Sequence, residues 1–193
     1  TGAVTNALNM PSVTAEEAKI MGPWIKLSDH LGNFIGQMTD EPIKAINILY
    51  DGVASEMNLE ALTCAAVAGI MKSVNPEVNM VSAPVVAKER GVKISTTKQD
   101  KSGAFKGINI DAEIGRHMVY TTNEDVPGII GTLGQTMGEH GVNIANFTLG
   151  RSDAGGEAIA LLYVDVPVPD AAIAALHETG KFQQIRPLQF DVG

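Results

Sequence analysis

The spacing of apolar positions in the second half of the chain predicts six regular elements. Alternating apolar residues predict strands over 117–122, 143–149, 157–165 and 183–191. Apolar residues three and four apart predict helices over 127–140 and 170–178. The resulting order, βαββαβ, is typical of the ferredoxin-like arrangement, in which two helices pack on one face of a four-stranded antiparallel sheet.

The first half of the chain predicts a different order, α-β-α-α-β. A helix is expected from about residue 14, where Thr14 and Glu17 have capping-box spacing, and Pro23 is expected to kink or restart it. A strand over 43–50, a helix from Asn58 to about residue 73, a short helix ended by Gly91 and a strand over 92–97 follow. We therefore predict an α+β protein with an α/β domain over 1–113 and a ferredoxin-like domain over 114–193.

Three glycines lie inside the predicted helix 127–140, where each costs about 1 kcal/mol relative to alanine. Gly131, Gly134 and Gly138 form a stripe of small residues beside an apolar stripe that includes Ile130 and Leu133. The simpler explanation is close packing of this helix on the sheet. The alternative is close approach of a ligand.

The composition is globular, with 45% hydrophobic and 19% charged residues among 193. A formal charge of −8 argues against nucleic acid and anionic membranes as partners. The longest apolar runs, such as 158–164, are far shorter than a membrane span, and no signal peptide opens the chain. The lone Cys64, expected in a helix core, is consistent with a reducing cytoplasm, and the start without methionine suggests a piece of a longer polypeptide.

Known catalytic and metal-binding spacings are missing from the sequence. The four histidines are far apart, the single cysteine forms no CxxC pair, and no nucleophile elbow or P-loop is present. The glycine-rich stretch 150–156 lies between two predicted strands, where a turn explains it. We expect no catalytic residue, no metal and no cofactor in this chain.

The junction of the first strand and first helix of the βαββαβ unit is the strongest candidate for ligand binding. Asp125 precedes Pro127 and Gly128, so it is expected to cap the helix by accepting backbone N–H bonds. The same corner offers helix-start amides beside a carboxylate, which suits both ends of a zwitterionic amino acid. Asn143, at the start of the next strand, offers a donor and an acceptor.

A second candidate is the basic group Lys88, Arg90 and Lys93 in an otherwise acidic chain. These side chains could receive a phosphate or a carboxylate. Cations are also ordinary partners of a helix C-terminus, and that explanation is favoured.

Several motifs resemble known families. Residues 117–120, 125–131, 140–145, 149–151 and 155–158 are similar to an ACT domain, most closely that of the long-form D-3-phosphoglycerate dehydrogenases. Residues 7–11, 22–24, 31–32 and 83–91 are similar to the intervening, or allosteric substrate-binding, domain of the same enzymes. The resemblance covers essentially the whole chain, with the two motif sets in the family's order.

This resemblance implies the regulatory part of an NAD-dependent enzyme that oxidises 3-phosphoglycerate to 3-phosphohydroxypyruvate in serine synthesis. The catalytic residues and the NAD site would lie in upstream catalytic domains of the same polypeptide, so this chain alone is expected to be inactive.

Family ACT domains pair edge to edge and bind L-serine at the dimer interface. Carried over by position, that site would comprise Asn123, Asp125, Val126, Pro127, Gly128, Ile129, Ile130, Asn143 and Ile144. We assign Asp125 to the ammonium or hydroxyl of the ligand, and Asn143 with the helix-start amides to its carboxylate.

The sequence departs from the family at one point, and two alternative functions are considered. The family has a further β-rich segment where this sequence passes from Phe105 to Lys106, so we expect a deletion or a disordered segment there. A serine-insensitive assembly module, with an anion effector site in the first domain, is one alternative. A serine dehydratase is the other, and the single cysteine argues against it because its iron–sulfur cluster needs several.

Overall fold

The chain folds into two compact units, which divide between Phe105 and Lys106. The computed structural model describes residues 15–99 and 110–192. The predicted cap Thr14 and the departure near 105–106 lie outside these ranges. The predicted domain boundary at 113/114 stays a prediction.

The first unit has the predicted order α-β-α-α-β. Its elements are α1 (Ala15–Met38), β1 (Ala45–Asp51), a 3-10 helix (Gly52–Glu56), α2 (Leu59–Lys72), α3 (Ala83–Glu89) and β2 (Lys93–Gln99). The predicted restart at Pro23 is absent, because α1 continues through this residue. Asn58 caps α2 as expected, with its side chain accepting a bond from the N–H of Ala61.

Two elements of the first unit, α1 and α2, meet at glycines. A Cβ on Gly32 would lie 2.0 Å from the carbonyl oxygen of Ala66, and one on Gly69 would lie 2.1 Å from that of Asp29. The helix backbones therefore touch where no larger residue fits. The buried face of α2, with Cys64 on it as predicted, packs beside the parallel pair β1–β2.

The second unit is the predicted βαββαβ fold. It comprises β3 (His117–Glu124), α4 (Ile129–Glu139), β4 (Ile144–Arg151), β5 (Glu157–Val164), α5 (Asp170–Glu178) and β6 (Phe182–Gln189). The sheet order is β4-β5-β3-β6 with every neighbouring pair antiparallel. Leu133 of α4 and Leu176 of α5 pack in one core with Val119 and Leu162, so both helices cover the same face of the sheet.

The three glycines inside α4 do not pack on the sheet, contrary to the explanation favoured from the sequence. Gly131, Gly134 and Gly138 are exposed, and a Cβ on any of them would meet nothing within 4 Å. Ile130 is also 58% exposed, while Leu133 and Met137 face the sheet. Close packing on the sheet is therefore wrong, because the glycines lie on the opposite side of the helix.

The described helices include none that combines the length and the apolar character needed to cross a bilayer.

The same Gly-to-Ala substitution should have opposite effects at two positions of α1. Gly32→Ala should destabilise the first unit by several kcal/mol, since its Cβ would overlap a backbone carbonyl that cannot move away. Gly22→Ala, where a Cβ meets nothing within 4 Å, should stabilise it by about 1 kcal/mol. Urea unfolding followed by the fluorescence of the single tryptophan, Trp24, measures both changes. Equal stability of the two variants would contradict the close helix contact.

Candidate functional site

The candidate site begins at the corner that follows β3. Gly128, with a φ of 93°, is the N-cap of α4, and no side chain caps this helix. The predicted capping by Asp125 is therefore wrong. Asp125 precedes the first helical residue by four positions, and a capping side chain must come from the position next to the helix.

Asp125 instead joins the corner to the hairpin between β4 and β5. Its Oδ2 accepts a bond of 2.8 Å from Nη1 of Arg151 and one of 3.4 Å from the backbone N–H of Gly155. Its own backbone N–H donates to the carbonyl of Gly156 over 2.8 Å. The carboxylate is thus held by the hairpin rather than by the helix.

These bonds also favour the ionised form of Asp125. The hydrogen bond from Arg151, helped by the N–H of Gly155, lowers the pKa of the Asp125 carboxyl below its ordinary value. Asp125 is therefore ionised at neutral pH, which is the state that an ammonium ligand needs.

Asn143 lies at the other end of the sheet. Ile144 and His117 both pair with Val164, whereas Arg151 and Asn123 both pair with Ala158. Asn143 therefore lies at the end of the sheet where β3 begins, and Asp125 lies at the opposite end, where β3 stops. The eight residues of β3 span roughly 26 Å between these two ends. Within one copy, these two residues cannot contact the same amino acid.

The amide of Asn143 has a partner in its own unit. Its Nδ2 donates to Oδ2 of Asp165 over 2.6 Å, and its backbone carbonyl accepts from the N–H of Asp165 over 3.2 Å. Asn143 is exposed, so its side chain can exchange this partner for a ligand.

Asn123 is buried under the helices, on the same sheet face as Val119 and Thr121. Its Nδ2 donates to the carbonyl of Glu124 over 2.6 Å, but its Oδ1 has no hydrogen-bond partner among the described residues. The hydroxyl of Thr121 is likewise buried without a partner there. Two unpartnered oxygens on one strand cost stability, so the strand that leads to Asp125 is not optimised for packing.

The remaining residues of the predicted amino-acid site divide by exposure. Val126, Pro127, Gly128 and Ile130 form an exposed corner with Asp125. Ile129 is 4% exposed and belongs to the core, so only its backbone can face a ligand. Ile144, half-buried, lies at the far end with Asn143.

The basic candidates lie in the first unit. Lys88 is in the last turn of α3, Arg90 is its C-cap residue, and Lys93 begins β2. All three are exposed. Within residues 15–99 and 110–192, no three side chains of His, Cys, Asp or Glu lie close enough together to hold a metal ion.

Sequence reasoning missed Arg151. The sequence analysis gives residue 151 no role of its own, although this cation ends β4 directly before the hairpin loop. The sequence has no local feature that connects it to Asp125, because only the pairing of β4 with β5 and of β5 with β3 brings the two side chains together.

Comparisons with known proteins agree with this architecture. The model of the D-3-phosphoglycerate dehydrogenase intervening domain matches residues 20–134, and the ACT domain model matches residues 117–180. A D-3-phosphoglycerate dehydrogenase of Bacillus subtilis is 30% identical over 206 residues, covering 90% of this chain and 39% of that protein. Those of Synechocystis and Methanocaldococcus jannaschii are 29% and 25% identical, with 89% and 93% of this chain covered. This chain spans about two-fifths of these relatives' length.

The titration of Asp125 should depend on Arg151. The folded-state pKa of Asp125 is lowered, so its ionised form stabilises the second unit above the ordinary Asp pKa of about 3.9, and this contribution is lost as pH falls below it. In Arg151→Gln, the pKa should rise towards the ordinary value. A carboxyl-carbon NMR titration measures both forms, and an unchanged pKa would contradict the ion pair.

A buried hydroxyl offers a second test of the corner. Thr121→Val removes an unpartnered oxygen at constant shape and should stabilise the second unit by about 1 kcal/mol. Thr132→Val is the control, because the Thr132 hydroxyl donates to Gly128 and accepts from Lys181, and its loss should destabilise. Chemical denaturation followed by circular dichroism compares the two, and destabilisation in both would show that the Thr121 hydroxyl is satisfied.

Proposed function

The chain belongs to the D-3-phosphoglycerate dehydrogenase family, and we propose that it is the regulatory and assembly part of such an enzyme. Its second unit binds L-serine between two copies. The parent polypeptide is a cytoplasmic enzyme that oxidises 3-phosphoglycerate to 3-phosphohydroxypyruvate, with NAD held by upstream catalytic domains. The family membership and the names of the relatives support this assignment.

One observation carries the serine site: Asp125 and Asn143 lie at opposite ends of the sheet, near the two ends of the edge strand β4. An edge strand presents unpaired backbone groups to a second chain. If two β4 strands pair antiparallel about a two-fold axis, the end of one lies beside the beginning of the other. This pairing brings Asp125 of one copy towards Asn143 of its partner.

Surface properties of the second unit support such a dimer. Val126, Ile130 and Leu149 are 46%, 58% and 36% exposed, which leaves apolar side chains for a second copy to cover. The open glycine stripe of α4 also allows another backbone to approach closely. Close approach of a second copy would explain these three glycines, which packing within one copy does not.

The chemistry of the corner matches a zwitterionic amino acid. The ionised Asp125 binds the ammonium group, and the start of α4 offers N–H groups to an anion or a hydroxyl. Asn143 of the partner supplies an amide. Serine regulates the enzyme only if it binds one arrangement of the two copies more tightly than another.

Mixed dimers test the shared site directly. Asp125→Asn and Asn143→Ala should each abolish serine binding by the pure variant. Mixing the two variants should restore about a quarter of the parent's sites, because each mixed dimer regains one site with both residues intact. Calorimetry with L-serine, with D-serine as control and sedimentation to confirm dimers, measures this recovery. No recovery in dimers that exchange subunits would show that the two residues do not form one site across the interface, and would contradict the proposal.

The alternative is a serine-insensitive assembly module whose first unit binds an anion. The exposed Lys88, Arg90 and Lys93 support it only by their charge. Intact dimers of the parent that give no heat with serine, but bind 3-phosphoglycerate and lose that binding in Arg90→Gln, would favour this alternative.

A further inference from the structure

The proposed serine site lacks an assigned cation for the ligand carboxylate. Asp125 accounts for the ammonium group, and the amide nitrogen of Asn143 donates to Asp165. Arg151 is the cation next to Asp125, with its Nη1 2.8 Å from Oδ2 of the carboxylate.

We propose that Arg151 binds the carboxylate of the amino acid whose ammonium group binds Asp125. This assignment rests on the proposed function, and it makes Arg151 the residue that selects a free amino acid over an amine without a carboxylate.

The hydrogen bonds of the pair leave room for both ends of the ligand. Oδ2 of Asp125 accepts from Arg151 and Gly155, whereas Oδ1 accepts no bond among the described residues and is available to an ammonium group. The guanidinium of Arg151 has five N–H donors, and its bond to Asp125 uses one. Arg151 therefore does not have to leave Asp125 for the ligand to bind.

The hairpin holds the pair in position. Ser152 N–H donates to the carbonyl of Glu157 over 3.0 Å, and Gly156 N–H donates to that of Asp153 over the same distance. The Asp125 backbone is bonded to Gly156 as well. A positive and a negative group thus stand side by side on ordered backbone, which is the complement of a zwitterion.

Arg151 is accessible, and the fold does not depend on it. Its side chain is 56% exposed, and it ends the edge strand at which the second copy is proposed to pair. Exposed ion pairs contribute little to stability, so a variant at this position should fold and pair normally.

The test compares two ligands that differ at the carboxylate. L-serine and ethanolamine share the ammonium and hydroxyl groups, but only serine has a carboxylate. The parent chain should bind serine at least about tenfold more tightly than ethanolamine. Arg151→Gln should remove most of this preference by weakening serine binding, with ethanolamine affinity within about twofold of the parent. NMR titration of the dimeric chain measures both affinities.

Two further variants separate the roles. Asp125→Asn should weaken both ligands, because both carry the ammonium group. Lys19→Gln, which removes the same charge from an exposed position of the first unit, should leave both affinities unchanged.

The outcomes distinguish this inference from the function on which it rests. If Arg151→Gln keeps the parent's preference for serine, the helix amides or Asn143 bind the carboxylate, and the inference is wrong while the serine site stands. If Arg151→Gln binds serine more tightly, Arg151 competes with the ammonium group and the inference is again wrong. If the parent binds neither ligand, the proposed serine site fails and the inference fails with it.

Discussion

The antiparallel pairing of β4 with β5, and of β5 with β3, is the constraint on which the candidate site depends. It places Arg151 beside Asp125 and moves Asn143 to the far end of the sheet. One copy therefore holds the charge pair of Asp125 and Arg151. In the proposed serine site a two-fold partner supplies Asn143, since an isologous contact presents both ends of the same strand.

Glycine has opposite uses in the two units, and only the neighbours of each glycine reveal which applies. In the first unit, Gly32 and Gly69 let α1 and α2 touch backbone to backbone. In the second, Gly134 and its neighbours in the stripe face open space. Both sets are glycines inside helices, so the sequence alone does not distinguish them. The first stabilises the unit by close packing, whereas the second costs stability unless something outside the unit covers it.

The candidate site combines a hydrogen-bonded corner with buried polar groups that have no partner. The hairpin between β4 and β5 holds the Asp125 carboxylate, and the bond from Arg151 lowers the pKa of that carboxyl. Beneath them, Asn123 and Thr121 each bury an oxygen without a partner in the described part of the chain. Such groups are expected where a protein gives up stability for binding or movement.

Apart from the 3-10 helix, the helices and strands, their order and the family resemblance can be predicted from the sequence. These follow from local patterns: apolar spacing, Asn58 as a cap, and the run from Asp125 to Gly128. The sequence also singles out Asp125 and Asn143 as candidates, but not their separation or the hydrogen bond between Arg151 and Asp125. Two of the wrong expectations, capping by Asp125 and packing of the α4 glycines on the sheet, concern which side of an element faces its neighbours. These features cannot be read from local patterns, because strand register and helix rotation depend on contacts between residues far apart in the chain.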